Sequence, residues 1–268
     1  MNAIDRRQVQ RHFSASACSY DDCADVQKRV ARKVANLVQV EGAAKGPMLE
    51  VGTGTGYLAE LIAARYPGLR LLVSDLAHAM TRAASQRLPG AWAMDLDAAA
   101  LPLATETMAY VCSASAYQWV ENLPRAFGEC HRVLQKGGSF IFALFGDGTL
   151  DELRGAYREA LLCEGRESPD YLVPMPSKHR VDASLAAAGF EIFRVWEEVE
   201  REYHGSLASL LRCLKGVGAH NASRCRPRGL SSRQVMKRLE GNYIQRFADG
   251  GRLPATYRVI YGIAGKSG

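Results

Sequence analysis

The feature that most constrains this chain is a set of three glycines at alternate positions, directly after a short apolar segment. The apolar segment spans residues 47–51, and residues 57–66 beyond the glycines have the composition of a helix. A strand, a glycine turn and a helix form a unit that cradles nucleotide-like cofactors, because glycine allows backbone conformations and close approaches that a Cβ atom excludes. The run reads Leu49-Glu50-Val51-Gly52-Thr53-Gly54-Thr55-Gly56.

The glycine spacing separates two classes of cofactor. Gly52, Gly54 and Gly56 are spaced one residue too closely for the G-x-G-x-x-G turn of dinucleotide-binding domains, which disfavours an NAD-dependent oxidoreductase. Glu50 precedes the first glycine by two residues, where a carboxylate suits the ammonium of a cofactor that carries an amino acid. The alternative for Glu50 is an acid that faces solvent at the end of a strand.

Strand-like and helix-like segments alternate through residues 47–144, which predicts a doubly wound, mostly parallel sheet. Beyond residue 146 the alternation gives way to helices and two late strand-like segments at 190–203 and 256–264. The chain of 268 residues is long enough to bury a sizeable core. We therefore predict an α/β fold with a seven-stranded sheet in one domain over residues 1–268.

The predicted domain has three parts. Residues 45–145 form the cofactor-binding core, and residues 206–252 form an insertion between the two late strands. The N-terminal part, 1–40, contains an amphipathic helix predicted at 26–40 from its helical spacing of apolar residues. We expect this helix and the insertion to form a helical cap over the open end of the sheet.

Two further acids follow strand-like segments. Asp75 closes the second segment nineteen residues after Gly56, and Asp95 follows the third. A carboxylate in the first of these positions can accept hydrogen bonds from both ribose hydroxyls. One in the second can accept from an adenine amino group, while the backbone amide of Leu96 donates to the ring. The alternative for Asp75 is an N-cap of the next helix.

The combination of glycine turn and three acids resembles the class I methyltransferases, which share a Rossmann-like fold, over residues 45–145. The resemblance implies that S-adenosylmethionine is the cofactor. We expect no metal, because no His or Cys pair has the spacing of metal ligands. The resemblance assigns the methionine part to the glycine turn, the ribose to the second strand end and the adenine to the third. The implied cofactor-binding residues are Glu50, Gly52, Thr53, Gly54, Gly56, Asp75, Leu76, Asp95, Leu96 and Ser113, and residues 113–119 would line the methyl-transfer site.

Flanking motifs narrow the resemblance to one family. They are Phe13-Ser14-Ala15-Ser16-Ala17-Cys18-Ser19-Tyr20, Leu101-Pro102-Leu103-Ala104-Thr105, Gln118-Trp119, Leu214-Lys215-Gly216-Val217-Gly218-Ala219 and Pro254-Ala255-Thr256-Tyr257. Together they resemble the malonyl-acyl carrier protein O-methyltransferases of biotin synthesis, the BioC family. The resemblance implies methyl transfer to the free carboxylate of a malonyl thioester on acyl carrier protein. Ser14 and Ser16 depart from the Gly-Arg that relatives often have, so no arginine of that motif can be assigned to the substrate.

Five residues are candidates for positioning the substrate rather than for acid or base catalysis. A carboxylate is already ionised at neutral pH and needs an oriented donor more than a base. Surface exposure is the alternative for the cations, and simple core packing is the alternative for the aromatic residues. The candidates are Tyr20, Trp119, Arg212, Lys215 and Tyr257.

Charge is distributed unevenly along the chain. The net charge is +6, but residues 201–268 carry thirteen Lys or Arg against three acids, a balance of +10. A basic surface of this kind attracts acidic partners, and the family resemblance implies that the partner is acyl carrier protein. We predict a docking surface at Arg224, Arg226, Arg228, Arg233, Lys237 and Arg238. A solvated helical surface is the alternative.

Three other functions remain open at this point. A methyltransferase of another small acid or of a quinone precursor would use the same core. An RNA-binding methyltransferase or a non-catalytic nucleic-acid module would use the positive charge, but the basic segment lacks interleaved aromatics and recognised RNA-binding motifs, so we expect no nucleic-acid partner. The N-terminus has no apolar signal region, and no apolar stretch is long enough to span a membrane, so we expect a cytoplasmic protein without a membrane partner.

Overall fold

The computed structural model describes residues 4–40, 46–165, 174–219 and 233–268. Seven strands form one sheet in the order β3-β2-β1-β4-β5-β7-β6. The first five strands run parallel to one another, and β7 is antiparallel to both of its neighbours. This confirms the predicted doubly wound, mostly parallel seven-stranded sheet. The strands are β1 (Met48–Val51), β2 (Leu71–Asp75), β3 (Trp92–Asp95), β4 (Met108–Ala114), β5 (Leu134–Phe145), β6 (Ile192–His204) and β7 (Leu253–Gly265).

Ten α-helices are described, together with a short 3-10 helix at Tyr117–Trp119. The helices after β1, β2 and β4 follow the expected alternation, and two helices lie between β6 and β7 as the predicted insertion. The helices are α1 (Arg6–Ser16), α2 (Tyr20–Cys23), α3 (Asp25–Leu37), α4 (Tyr57–Arg65), α5 (His78–Arg87), α6 (Leu123–Val133), α7 (Asp151–Leu162), α8 (Lys178–Ala187), α9 (Leu207–Gly216) and α10 (Arg233–Phe247).

The N-terminal region differs from the prediction. Instead of one helix at 26–40, three helices are present, and α3 ends at Leu37. The side chain of Asp5 caps α1 by accepting from the backbone N–H groups of Arg7 and Gln8. Helix α3 was identified from its apolar residues at helical spacing, because this helix buries Val26, Val30 and Val34 in the core. The first helix buries only Val9 and Ser16 and is rich in polar residues, so it offers few apolar positions from which to recognise it.

The fifth strand also begins earlier than predicted. The sequence indicates a turn at 136–138 before a strand at 139–144, whereas β5 starts at Leu134 and runs through the glycines. Pairing with β4 shifts register between Met108 and Tyr110, and Gly137 has φ 74°, so the strand passes through an irregularity here. Regular pairing with β4 resumes at Ser139, the predicted strand start, so the chain is irregular at the predicted turn although the strand as a whole begins at Leu134.

The core lies on both faces of the central strands, which are buried almost completely. On one face Phe127 of α6 packs against Phe140 and Phe142 of β5, with ring centroids 5.4 and 5.2 Å apart. Helix α6 buries a stripe at helical spacing, which fixes it on the sheet. Buried aromatic and aliphatic side chains of this kind hold the strand ends in place.

The carboxyl ends of the parallel strands define where a ligand can bind. Strand β1 pairs with β2 on one side and with β4 on the other, so the chain crosses in opposite directions from β1. In doubly wound sheets the crevice at such a switch point binds ligands. The ends of β1, β2 and β4 at Val51, Asp75 and Ala114 therefore mark the candidate site.

Candidate active site

The glycine turn connects β1 to α4, and its three glycines serve different purposes. Gly52 has φ 71°, and a Cβ atom there would lie 2.2 Å from the Cβ of Ala116. A Cβ on Gly56 would lie 3.0 Å from the Cα of Ala84 in α5. By contrast, the nearest atoms to a Cβ on Gly54 are in the Tyr20 ring at 3.9 Å. The outer glycines allow the chain to pack on itself, while a Cβ on Gly54 would make only an ordinary van der Waals contact with Tyr20.

Glu50 is a buried carboxyl group directly before this turn. Its Oε2 accepts a hydrogen bond from the Thr53 hydroxyl at 2.9 Å. Burial raises the pKa of Glu50 to about 8, only partly offset by the Thr53 bond. The solvent-facing alternative is therefore wrong, since the side chain is 3% exposed. The group needs a cationic partner to hold its charge at neutral pH.

Asp75 ends β2 beside the same turn. One carboxylate oxygen accepts from the backbone N–H of Gly54 at 3.0 Å, and the other accepts from Ala77 N–H at 2.8 Å. Burial raises the pKa of Asp75 to about 6, against the lowering effect of these N–H groups. Asp75 therefore lines the cavity, and its role towards the ribose hydroxyls stays a prediction. It is not the N-cap of α5, which is Ala77, although it accepts from the Ala77 N–H in the turn before that helix.

Two serines secure the strand ends. The Ser74 hydroxyl donates to the carbonyl oxygen of Glu50 at 2.7 Å, and the Ser113 hydroxyl donates to that of Val51 at 2.7 Å. Both serines are fully buried. Ser113, a candidate cofactor ligand, thus uses its hydroxyl to bind the β1 backbone. The residues that line the cavity are the next two, Ala114 and Ser115.

The third strand end places its two acids differently. Asp95 lies beside His78, with Oδ2 and Nδ1 2.8 Å apart, and its side chain is 46% exposed. Leu96 and Asp97 line the cavity, and Asp97 pairs with Arg6 of α1 at 2.6 Å. Among the described residues of this acidic run, Asp97 is the acid that lines the cavity. It stands two residues beyond the predicted Asp95.

These strand ends enclose a cavity of about 490 Å³. We name it the cofactor cavity. The N-terminal cap, defined as α1–α3, forms its outer wall and is tied to the core by several polar links. Besides the Arg6–Asp97 pair, Gln10 donates to the carbonyl oxygen of Leu76 at 2.9 Å, and Thr55 donates to Asp21 at 2.7 Å. The N-terminal cap thus covers this end of the sheet with three helices, while the share of the cap predicted for the insertion, 206–252, lies partly outside the described residues and stays a prediction.

A second cavity of about 110 Å³ adjoins the first, and we name it the acceptor cavity. The two cavities share five lining residues, which form a common wall. The acceptor cavity is largely apolar and is closed by parts of α7, α9 and β7, including Tyr257. The shared residues are Phe13, Tyr20, Gln27, Ser115 and Trp119.

Three of the five predicted substrate residues therefore lie at the cavities. Tyr20 and Trp119 belong to the common wall, and the Trp119 ring meets Phe13 edge-on at 5.7 Å. Burial and the neighbouring carboxylates raise the pKa of Tyr20, so it keeps its proton. Tyr257 donates to Glu202 at 3.5 Å while its ring packs against Phe145.

The other two predicted substrate residues are placed elsewhere. Arg212 and Lys215 lie in α9 with exposed side chains and line neither cavity. Their helix contributes Leu214 to the acceptor cavity instead. In a helix, residues one and two positions apart point in different directions, so the apolar Leu214 takes the inner face. For these two cations the structure gives the surface alternative.

The predicted docking surface is described only in part. Arg224, Arg226 and Arg228 lie outside the described residues. Arg233 and Lys237 are exposed on α10, and Arg238 pairs with Glu164 at 2.6 Å. The nearby acid reduces the positive potential at Arg238 but leaves the other two cations on the surface.

Several lining residues are absent from the sequence prediction. In the cofactor cavity they are Arg6, Gln10, Gln27, Asp97 and Arg125, and in the acceptor cavity they include Arg154. Asp97 could have been found, because it stands in the same acidic run as Asp95. No motif in the sequence of α1 or α7 indicates that their residues line a cavity, because only folding brings these helices to the strand ends.

Two buried polar atoms test whether the cavity suits the cofactor that the fold implies. The Ser115 hydroxyl and the side-chain oxygen of Gln27 have no hydrogen-bond partner within the described part of the chain, and both residues line the common wall. Buried polar groups normally find partners, so this wall is prepared for a polar ligand. Together with the carboxylates of Glu50 and Asp75, these oxygens can accept hydrogen bonds from a cofactor that carries an ammonium and hydroxyl groups.

The sheet order and the glycine turn with its acids define a class I, S-adenosylmethionine-dependent methyltransferase. A family profile described as "Methyltransferase domain" matches residues 49–142. The YcgJ protein from Bacillus subtilis shares the fold, with a TM-score of 0.62 at 13% identity, covering 90% of this chain and 99% of that one.

Relatives that match nearly the whole length of this chain identify the particular family. A protein from Geobacter sulfurreducens named malonyl-[acyl-carrier protein] O-methyltransferase is 43% identical over 97% of this chain and 98% of its own length. A protein of the same name from Methylococcus capsulatus is 36% identical over 96% and 90% of the two chains. This chain belongs to the malonyl-[acyl-carrier protein] O-methyltransferase family.

Proposed function

We propose that this protein transfers the methyl group of S-adenosylmethionine to the free carboxylate of malonyl-acyl carrier protein, giving the malonyl methyl ester that starts pimeloyl and biotin synthesis. The observation that carries the proposal is similarity to the named relatives over nearly the whole chain. That similarity extends beyond the sheet core to the N-terminal cap and α9, which build the acceptor cavity. A match confined to the core would support only a methyltransferase of some kind.

The residues around the cofactor cavity have chemistry suited to each part of the cofactor. Glu50 would balance the ammonium, Asp75 would accept from the ribose hydroxyls, and Leu96 with Asp97 would meet the adenine end, while Asp95 stands just outside. Gly54 leaves room for the methionine part. When bound, S-adenosylmethionine supplies a methyl group activated by a positively charged sulfur.

The acceptor needs no proton removed by the protein. A malonyl carboxylate is ionised at neutral pH, and its oxygen supplies the electron pair of the new carbon–oxygen bond as the carbon–sulfur bond breaks. Tyr20, protonated, and Trp119 line both cavities, and with both ligands bound they would exclude water from the space between them. Catalysis then rests on alignment and on a dry environment.

One assay tests this function. Methyl-labelled S-adenosylmethionine is offered with malonyl-acyl carrier protein, malonyl-coenzyme A, free malonate, a quinone precursor or RNA. We expect label on the malonyl carboxylate of the carrier-bound substrate. Label on malonate, on the quinone precursor or on RNA alone would contradict the proposal and identify one of the alternatives.

We also propose that the basic surface of α10 docks acyl carrier protein. Reversing Arg233 and Lys237 to glutamate should lower kcat/KM for the carrier-bound substrate about tenfold at low salt, because opposite charges accelerate encounter, and the effect should fade as salt screens them. The control is malonyl-pantetheine, which has no protein surface and should react equally with both enzymes. An unchanged carrier-dependent rate at low salt would show that this surface is not used.

A further inference from the structure

We propose that the hydroxyl group of Ser115 binds the free carboxylate of the substrate and orients it for methyl transfer. The inference rests on the proposed function and identifies a residue that positions the acid. The resemblance to methyltransferases placed Ser115 only within a segment that lines the transfer site. Its position between the two cavities, its unpartnered hydroxyl and its left-handed backbone each support a more specific role.

Ser115 stands where the two cavities meet. It follows Ala114, the last residue of β4, and it belongs to the common wall that borders the cofactor cavity and the acceptor cavity. A methyl group that passes from one ligand to the other has to cross at this wall. A hydroxyl group here can therefore contact the acceptor at the point of transfer.

The Ser115 hydroxyl is buried and has no hydrogen-bond partner within the part of the chain that the structure describes. Both backbone groups of Ser115 are occupied by contrast. Its N–H donates to the carbonyl oxygen of Ala143 at 2.8 Å, and its carbonyl oxygen accepts from the side-chain amide of Gln118 at 2.7 Å. The Gln118 side chain also accepts from the backbone N–H of Phe145 at 3.4 Å. The residue is thus held by β5, and its buried hydroxyl calls for a ligand.

The backbone of Ser115 is left-handed, with φ 59°. This conformation costs free energy in a residue that has a Cβ atom, because the Cβ comes too close to the following carbonyl oxygen. Glycine would avoid this cost. Strained residues of this kind cluster at functional sites, where the surrounding structure holds them in place. A serine at such a position indicates that its side chain is needed there.

The chemistry of the acceptor matches a single hydroxyl donor. A carboxylate only accepts hydrogen bonds, and a hydroxyl supplies one donor. A bond from Ser115 to one carboxylate oxygen would be charge-assisted, and it would leave the other oxygen to attack the methyl group. Ser115 keeps its proton throughout, because the carboxylate is already ionised. The positively charged sulfur of the bound cofactor would compensate the negative charge, so the donor can be neutral.

Two substitutions separate the hydroxyl from the backbone. Ser115→Ala removes the hydroxyl and keeps the strain, whereas Ser115→Gly removes both. We expect kcat/KM for malonyl-acyl carrier protein to fall about 30-fold in both variants, the size of effect that one lost hydrogen bond to a charged group gives. The Tm should stay close to the wild type in Ser115→Ala and should rise by up to about 2 °C in Ser115→Gly, because glycine adopts the left-handed backbone without strain.

Glu106→Gly is the matched control. Glu106 is exposed, has the same φ of 59° and lines neither cavity, so this variant should have the kinetics of the wild type. Two binding measurements locate the loss in the Ser115 variants. The Kd for S-adenosylmethionine should stay unchanged, and so should the inhibition constant of acetyl-acyl carrier protein, which lacks the carboxylate.

Three outcomes would overturn the assignment. They are a wild-type kcat/KM in both Ser115 variants, recovery of activity in Ser115→Gly alone, and an equal loss of affinity for the cofactor or for the acetyl carrier. Any of these, with a wild type that methylates malonyl-acyl carrier protein, refutes the role of Ser115 alone. A wild type that does not methylate this substrate refutes the proposed function instead, so the two failures are distinguishable.

Discussion

The cofactor cavity and the acceptor cavity adjoin each other but are built in different ways. The cofactor cavity takes its key groups from neighbouring strand ends, with Glu50 and Asp75 held by backbone and hydroxyl donors within one structural unit. The acceptor cavity draws Tyr20, Arg154 and Leu214 from helices far apart in sequence. The first depends on a local motif, and the second depends on how remote helices pack.

This difference separates two kinds of specificity. Backbone conformation and strand register fix the cofactor cavity, so its chemistry can be shared by enzymes with unrelated acceptors. The acceptor cavity can change with helix placement while the sheet stays the same. Substitutions in one cavity should therefore spare the ligand of the other, except at the common wall.

The largest effect should come from Gly52→Ala, which tests how rigidly the cofactor cavity is built. The new Cβ would lie 2.2 Å from that of Ala116, at a residue with φ 71°. Overpacking and a left-handed backbone together should cost about 3–4 kcal/mol of unfolding free energy, measured by thermal and chemical denaturation. Gly54→Ala is the control, because it shares the left-handed backbone (φ 54°) but its Cβ would meet only the Tyr20 ring at a normal contact distance of 3.9 Å, so it should cost about 1 kcal/mol. Equal losses in the two variants would contradict this account of the turn.

Asp75→Asn should have the next largest effect and should separate the two cavities. We expect the Kd for S-adenosylmethionine to rise about 100-fold, since charged hydrogen bonds to two hydroxyls are weakened. Calorimetry measures this change, and Asp95→Asn, at the more exposed acid, serves for comparison. The inhibition constant of a malonyl-carrier analogue should not change. If both ligands lost affinity together, the cavities would not be independent.

The smallest effect concerns the pH dependence of Glu50. Burial raises its pKa from 4.5 to about 8, so the folded protein retains a proton that the unfolded chain releases. The stability that this proton supplies is complete below pH 4.5 and is lost as the pH rises through 8. We expect the Tm of the cofactor-free protein to fall by several degrees between pH 6 and 8.5.

Glu50→Gln should remove most of this slope, while exposed Glu240→Gln should retain it. Bound S-adenosylmethionine should oppose the fall, because its ammonium favours the ionised carboxylate. A slope that survives in Glu50→Gln would assign the pH dependence to another group.

The sequence predicted the parts of the fold that have a local cause. Apolar strands, the glycine turn and the strand-end acid Asp75 were recognisable because each depends on residues close together in the chain. The cavity-lining Asp97 was missed in favour of Asp95 because a two-residue difference at a strand end depends on the exact path of the following loop. Helix α1 was missed because it buries few residues.

The acceptor cavity shows more clearly what the sequence alone could not predict. Arg212 and Lys215 were chosen from a motif, yet their side chains lie on the exposed face of α9. Arg154 belongs to no recognisable motif and reaches the cavity only because α7 packs where β5 ends. Helix orientation decides which side chains line the acceptor cavity, and the motif does not contain that information.

The common wall has a consequence for the timing of the reaction cycle. Phe13 of α1 and Tyr20 of α2 line both cavities, so displacement of the N-terminal cap uncovers both together. We therefore expect both ligands to exchange through the same opening: the product S-adenosylhomocysteine would leave through the opening that admits the next acyl group. Solvent viscosity should then slow both exchanges by the same factor.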